Sequence, residues 1–503
     1  MNCVFATATI QTGHLTLEGC FFDGAYDFNI NMYGIYGAES VVATGCNITE
    51  FRGNVLFSGG KVAISNCTFP DNVGEGATVI AGIDDVTITD STFGKRTFGT
   101  RMPGANGTTT VVRSESGDIT IENSSFAGYA TQYLLYSSKG NISVTNTTIT
   151  SNMITNSGEK GGHLIHSRGN TTIDSSVVSF NDGVASFNDG VLIYSTGIIS
   201  IINSTLAQNS GTLLQSGTAA VIANSSVTWN SASMELCSPS IVRDSMFAAN
   251  YGYGVFRSCS FPALEAIAHE VIFSLSVRHC KFESNNFLVS LSQQTGTTEL
   301  LFITLMHLVF IILLALTVVE IADSEIRGGV GCVNASVPLS LQLRNISCSN
   351  TTYGIRIQQG NVSIDNCTFA YNSGGCCTIA EVGEMVVNNS IFTNNIGSSL
   401  FNGGNTVITH SSFVQNSAVV FQACDNTVVR HSTFTSNRDI FSSCLSFEPE
   451  LHLRDHARDV ASTKVSARNC VFQANHAILN FSRPAAGQRF FSISLHSFAN
   501  SSV

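Results

Sequence analysis

Charge is scarce in this chain: only 12% of its 503 residues are charged, and its 24 lysines and arginines stand scattered. With a formal net charge of −11, such spacing leaves no basic stripe for a nucleic acid or an anionic lipid surface, so no nucleic-acid partner is expected. The acidic balance reads as a solvated surface. No Cys-x-x-Cys occurs among the 15 cysteines, which disfavours zinc and dithiol redox chemistry. The opening Met1-Asn2-Cys3-Val4-Phe5 lacks the basic and apolar regions of a signal peptide. Those residues already fit the repeat described next, so a start inside a longer protein is expected.

What is abundant is turn and strand chemistry. There are 43 Gly and 33 Phe against 7 Pro, with many Asn, Ser, Thr, Val and Ile. One phrase recurs: alternating apolar residues, Asn or Asp, Cys or Ser, any residue, Phe, and often Asn three positions later. Clear copies end at Phe69, Phe247, Phe369, Phe392, Phe413, Phe434 and Phe472. Weaker copies put Phe5, Phe22, Ile48, Phe93, Phe126, Ile149, Val178, Leu206, Val227, Phe282, Ile326, Ser347 and Phe498 at the Phe position.

Period-2 alternation, with Val62, Ile64, Asn66 and Thr68 set against Ala63, Ser65, Cys67 and Phe69, predicts strands with one buried face. A second apolar run follows each phrase, as in Val191-Leu192-Ile193-Tyr194, so each coil reads as strand, turn, strand, turn. A single coil cannot bury its apolar face. Stacking at about 4.8 Å per coil aligns the Phe positions into a continuous ladder, and about twenty coils make a rod of roughly 95 Å. A single globular core of this length would instead divide. The expected fold class is all-β: a right-handed parallel β-helix solenoid of about twenty coils. Asn72, Asn209, Asn230, Asn250, Asn372, Asn395, Asn416, Asn437 and Asn475 suit an amide ladder and left-handed turns.

These residues resemble right-handed parallel β-helix proteins of the pectin-lyase-like superfamily. Within it, Gly59 to Asn72 (GGKVAISNCTFPDN) is similar to the repeat of chlamydial polymorphic outer membrane proteins, and Gly-Gly pairs recur at Gly161, Gly328, Gly374 and Gly403. The resemblance covers nearly the whole chain at the level of the repeat. It implies architecture, and adhesion at a cell surface.

The enzymatic alternative is a polysaccharide lyase or glycoside hydrolase, which needs paired carboxylates at a defined separation. Asp84-Asp85 is the candidate pair, but the Asn-Thr-Asp and Gly-His-Gly motifs of polygalacturonases are missing. Only Gly354-Ile355-Arg356-Ile357-Gln358 echoes their third motif, with Gln for Lys. The pair reads as a solvated turn. His163 and His166 share one strand and read as surface or rung histidines. His410 and His431 share one repeat position in adjacent coils and form a short histidine rung, without the further ligands a metal site needs. No catalytic, cofactor or metal residues are assigned.

Cys3, Cys20, Cys46, Cys67, Cys280, Cys367 and Cys470 lie two positions before Phe, where Ser91, Ser124, Ser204, Ser225, Ser245, Ser390, Ser411 and Ser432 substitute, so small size is the common requirement. Adjacent rungs at about 4.8 Å suit free thiols better than disulfides, whose Cβ atoms sit about 3.8 Å apart. Bridges are more plausible at Cys237 with Cys259 and at Cys424 with Cys444. Sequons outside the repeat phrase, at Asn47, Asn106, Asn141, Asn170, Asn334, Asn361 and Asn480, fit a glycosylated extracellular protein.

From Leu300 to Val319 the chain carries no charge, long enough to span a bilayer. The run interrupts the solenoid between Phe282 and Ile326. Three readings stand: a transmembrane helix, an apolar helical insertion packed against the rod, or non-native sequence from a misdrawn gene. Leu264 to Val271 and Glu448 to Ala461 read as short helical insertions. The expected organisation is thus a β-helix over 1–286, a linker and apolar helix over 287–320, and a β-helix over 321–503. The functional expectation is a non-enzymatic membrane-attached, surface or secreted protein contacting carbohydrate or a cell-surface protein, with the lyase or hydrolase as alternative.

Overall fold

The computed structural model describes residues 4–5, 10–23, 33–49, 55–70, 78–94, 110–154, 162–182, 191–231, 233–236, 239–251, 255–258, 274–285, 287–291, 317–335, 339–357, 360–374, 377–379, 383–397, 399–402, 405–422, 427–442, 464–475, 477–480 and 492–496. Within them every regular element is a strand, and every strand pairing with a given register is parallel. The chain divides into two compact units, Met1–Cys259 and Ser260–Val503.

A coil of the first unit shows the plan. Strand Val191–Ser195 is followed by strand Ile199–Ile202 and by the short strand Thr205–Ala207. Each pairs with its counterpart one coil on: Val191 with Thr212, Ile199 with Ala220, Thr205 with Ser226. A coil therefore has three strands, where the alternation predicts two. The reason is one left-handed residue inside the phrase. Asn66 has φ 51 and Asn203 has φ 49, a conformation that Asn tolerates better than most residues. That residue turns the chain and flips the phase of the alternation. Val62 and Ile64 before it, and Cys67 and Phe69 after it, consequently all point inward and are buried.

A second left-handed residue follows the Phe position. Gln208 has φ 55 and the sole tryptophan, Trp229, has φ 59. The amide-ladder Asn comes one residue later, so the left-handed conformation expected of that Asn belongs to its predecessor.

The inward Phe positions stack along the axis. In the first unit Phe69, Phe93 and Phe126 have successive ring centroids 4.2 and 4.5 Å apart. In the second, Phe369, Phe392, Phe413, Phe434 and Phe472 follow at 5.2, 5.0, 4.8 and 5.0 Å. Each such burial contributes on the order of 1.5–3 kcal/mol. One assignment shifts: Cys348, not Ser347, pairs with Ile326 and Phe369 and is fully buried. Ser347 faces solvent because Asn345 is the left-handed residue there.

Two polar ladders flank the aromatic one. In the first, the side-chain N–H of Asn152 donates to Asn181, Asn181 to Asn209, Asn209 to Asn230 and Asn230 to Asn250, each at 3.0 Å. Each backbone N–H donates to the same oxygen, for example Asn181 to Asn209 at 3.1 Å. The second unit repeats this from Asn372 through Asn395, Asn416 and Asn437 to Asn475. Asn72 lies outside the described residues. In the second ladder the Ser or Cys before the short strand accepts from the previous coil and donates to its own chain. Ser204 Oγ accepts from Ser176 N at 3.1 Å and donates to Ile202 O at 2.6 Å. Cys67 Sγ likewise accepts from Cys46 N at 3.3 Å and donates to Ser65 O at 3.2 Å. A small side chain that both donates and accepts is thus the requirement, beyond size alone. Cys20, Cys46, Cys67, Cys280, Cys348, Cys367 and Cys470 are free thiols. Cys237, Cys259, Cys424 and Cys444 lie outside the described residues.

The apolar run needs correction at its end. Thr317–Ala322 is a strand, with Val318 paired to Ser274 on one side and to Ser340 on the other. Val319 is fully buried. Alternating Val319 and Ile321 fill the coil interior, which satisfies their apolar side chains without a membrane. Among the described residues no helix is long and apolar enough to cross a bilayer. Residues 300–316 lie outside the described residues, as do 264–271 and 448–461.

Candidate functional site

In the first unit the strands Tyr133–Ser137, His163–Ser167, Val191–Ser195 and Thr212–Ser216 share one pattern: first and fourth residues half-exposed, the other three buried. The fifth is serine in all four. Its hydroxyl ties the following turn to the coil before it, as Ser167 Oγ donates to Gly140 O at 2.9 Å and Ser195 Oγ to Gly169 O at 2.6 Å. Glycine is required at that turn: a Cβ on Gly140 would stand 2.1 Å from the carbonyl oxygen of Gly117. These inward anchors hold the strands in register and fix what the outward positions present.

Register then builds a face. Arg113, Tyr136, His166, Tyr194, Gln215 and Glu235 form one row along the axis, and Tyr133 and His163 begin a second beside it. Tyr136 stacks on His166 with centroids 5.0 Å apart, and His166 on Tyr194 at 4.9 Å. His163 stacks on Tyr194 at 5.0 Å, and Tyr133 meets His166 edge-on at 5.5 Å. The Arg113 guanidinium lies 5.9 Å from the Tyr136 ring centroid, and Gln215 Nε2 donates to Glu235 at 3.1 Å. Because the ring faces are spent on one another, hydroxyl and ring-nitrogen edges are what the stack offers outward.

Burial among these rings holds both imidazoles neutral. It lowers His163 to about 4, against the opposing hydrogen bond to Val191 O. It lowers His166 to about 3, with the charges of His163 and Arg168 adding to the effect. His163 Nδ1 donates to Val191 O at 3.0 Å, which leaves Nε2 as an acceptor. His166 Nδ1 is buried without a hydrogen-bond partner among the described residues, a state that costs about 1–3 kcal/mol.

Sequence reasoning places His163 and His166 as rungs but misses Tyr133, Tyr136, Tyr194, Gln215 and Glu235. The signal that could have found them is the phrase YLLYS, HLIHS, VLIYS, TLLQS, each running into a glycine or polar turn. The carboxylate pair is elsewhere. Asp84 and Asp85 are exposed in a turn, where Asp85 Oδ1 accepts from Asp118 N at 3.1 Å and Asp84 Oδ1 from Ser116 Oγ at 3.3 Å. Asp85 thereby heads an outer column in which Asp118 accepts from Asn141 N and Asn141 from Asn170 N, at 2.7 and 2.8 Å. Arg356 stands on strand Tyr353–Ile357 of the second unit. Among the described residues no three His, Cys, Asp or Glu side chains cluster to hold a metal.

A family model described as "Right handed beta helix region" matches residues 311–451. A search of the curated proteins finds no match. Among the similar solved structures are three. The periplasmic alginate epimerase AlgG shares 8% identity at TM-score 0.24, over 92% of this chain and 77% of that one. A single-site mutant of the PL6 family alginate lyase AlyGC shares 10% at 0.25, over 99% and 97%. The catalytic domain of a GH87 α-1,3-glucanase in complex with nigerose shares 12% at 0.17, over 92% and 63%. The likeness to chlamydial polymorphic outer membrane proteins finds no counterpart among these. With its parallel ladders and the matched family region, the chain is a right-handed parallel β-helix.

Proposed function

We propose that the tyrosine–histidine face of the first unit binds carbohydrate as a non-enzymatic contact surface of an extracellular or cell-surface protein. The observation that carries this reading is the stacked row Tyr136–His166–Tyr194, continued by Gln215 and Glu235. It presents rigid hydrogen-bonding edges about every 4.8 Å along the axis. Stacked rings lose little side-chain entropy when a ligand arrives, so hydrogen bonds made to them are retained as affinity. An extended chain of hydroxylated rings can satisfy such a comb, whereas an apolar ligand would strand its hydroxyl and ring-nitrogen edges. The exposed sequon residues Asn47, Asn141, Asn170 and Asn361 support an extracellular setting.

The test is affinity electrophoresis and calorimetry of the full chain against neutral and uronate polysaccharides. Tyr136→Phe with Tyr194→Phe keeps the stack and removes two hydroxyls, and should weaken binding roughly tenfold or more. Unaltered binding in that variant would refute the assignment.

The enzymatic alternative rests on the same site: the neutral imidazoles of His163 and His166 lie beside Tyr133, and a neutral imidazole can take up a proton at a ring nitrogen. Turnover of pectin, alginate or a related polymer that His166→Ala abolishes would replace the contact reading with a lyase or hydrolase.

A further inference from the structure

The second unit brings together cationic side chains that the sequence keeps apart. Backbone register places Arg430 directly beside Arg468, although they lie 38 positions apart in the chain. Thr409 precedes Arg430 on the same row. The residues following Thr409 and Arg430, His410 and His431, take the left-handed turn, both with φ 49. Their rings stack with centroids 5.0 Å apart and planes 6° from parallel. All four side chains are exposed.

Two guanidinium groups on neighbouring rungs, about 4.8 Å apart at the backbone, repel one another unless something compensates. Elsewhere the protein compensates such groups. Arg278 forks onto Glu320 of the adjacent coil at 3.0 and 3.1 Å. Neither Arg430 nor Arg468 has a carboxylate partner among the described residues. The acid on their row, Asp365, is two rungs beyond Thr409, and its carboxylate accepts from Asn388 Nδ2 at 3.0 Å.

We propose that Arg430, Arg468, His410 and His431 form a binding site for the carboxylate or sulfate groups of an acidic saccharide. Guanidinium forks match the paired oxygens of either anion. The parallel imidazoles add ring N–H donors on the adjoining column. A net charge of −11 repels a long polyphosphate at distance. A local site of two arginines accepts isolated anionic groups carried on a mostly neutral ring polymer. This site stands on different residues from the tyrosine–histidine face and does not depend on it.

The experiment is calorimetry of the full chain with a short uronate oligosaccharide, a sulfated oligosaccharide and a neutral one of the same length. One or both anionic ligands should bind more tightly than the neutral one, and that excess should require the two arginines. Which anion binds identifies the natural charge. The Arg430→Gln/Arg468→Gln variant should lose roughly tenfold or more in affinity, and binding should weaken as salt rises. His410→Asn/His431→Asn places the residue found at the same turn in Asn389 and Asn469, so it should fold and bind more weakly. Tyr136→Phe/Tyr194→Phe should leave the arginine-dependent excess of anion binding unchanged, which separates this site from the carbohydrate face. Absence of anionic binding, an arginine variant that loses neutral and anionic binding alike, a short DNA duplex binding as tightly, or an arginine variant with unaltered affinity for the anions would each overturn the proposal.

Discussion

Asn209 donates both its side-chain and its backbone N–H, each at 3.0 Å, to the side-chain oxygen of Asn230. One oxygen thus closes two buried donors of the previous coil. Asn230 in turn donates to Leu206 O and to Asn250. Replacing Asn230 with Ala orphans both donors and removes the side-chain bonds to Leu206 O and Asn250, whose oxygen keeps the backbone N–H of residue 230. A loss of about 2–4 kcal/mol is expected, read as a lower urea midpoint. Asn230→Asp should also destabilise, because a carboxylate accepts from Asn209 but cannot donate to Asn250. Midpoints equal to the parent for both variants would show that the ladder contributes nothing.

The serine and cysteine rungs predict an unusual tolerance. Ser204→Cys should cost less than about 1 kcal/mol, since Cys67 makes the same pair of contacts with sulfur. Ser204→Val, similar in volume but without donor or acceptor, leaves Ser176 N unpaired and Ile202 O with only the bond from Ser175 N, and should cost about 1–3 kcal/mol. Thermal melting of the two variants side by side checks the difference. If both melt alike, volume alone governs the position.

Glycine at the turn after the first strand is required by proximity. Gly140→Ala puts a methyl group 2.1 Å from the Gly117 carbonyl oxygen, so the coils must separate locally. A destabilisation of about 2–4 kcal/mol follows, in the range of backbone clashes in packed structure. Gly13→Ala, with nothing within 4 Å of the added carbon, is the control and should melt near the parent temperature.

The buried imidazoles set a pH dependence. Unfolded histidine titrates near about 6.5, whereas His163 and His166 are lowered to about 4 and about 3 by burial. Between those values the unfolded chain binds more protons than the folded one, so stability falls as pH drops from about 6.5 towards 3. Above about 6.5 both states are neutral at these sites and the stabilisation is complete. His163→Gln/His166→Gln should flatten this slope, measured as denaturation midpoints across the range. A slope identical to the parent would mean that other groups carry it.

Much of the architecture is readable from residue pattern. The phrase ending at Phe369, Phe392, Phe413 and Phe434 recurs often enough to imply a column, because a coil that cannot bury its own face must stack. What the pattern hides is the phase flip at Asn66 and its equivalents. A period of two carries no sign of a single left-handed residue that lets both Ile64 and Phe69 face inward. The same ambiguity puts Ser347 where Cys348 belongs. The end of the apolar run, Thr317 to Val319, misleads for a related reason: hydropathy measures the wish to avoid water, and a coil interior satisfies it as well as a bilayer does.

The candidate sites were less legible. Tyr136, His166 and Tyr194 become neighbours only through register across strands nearly thirty positions apart in sequence, and Arg430 meets Arg468 across an intervening segment. The sequence by itself determined that the chain would coil and stack, since composition, strand period and the recurring Phe and Asn are local properties written into every repeat. Only the tertiary structure decided which outward side chains share a surface. Coil lengths vary, and the lateral partner of a residue depends on the summed length of everything between the two rungs.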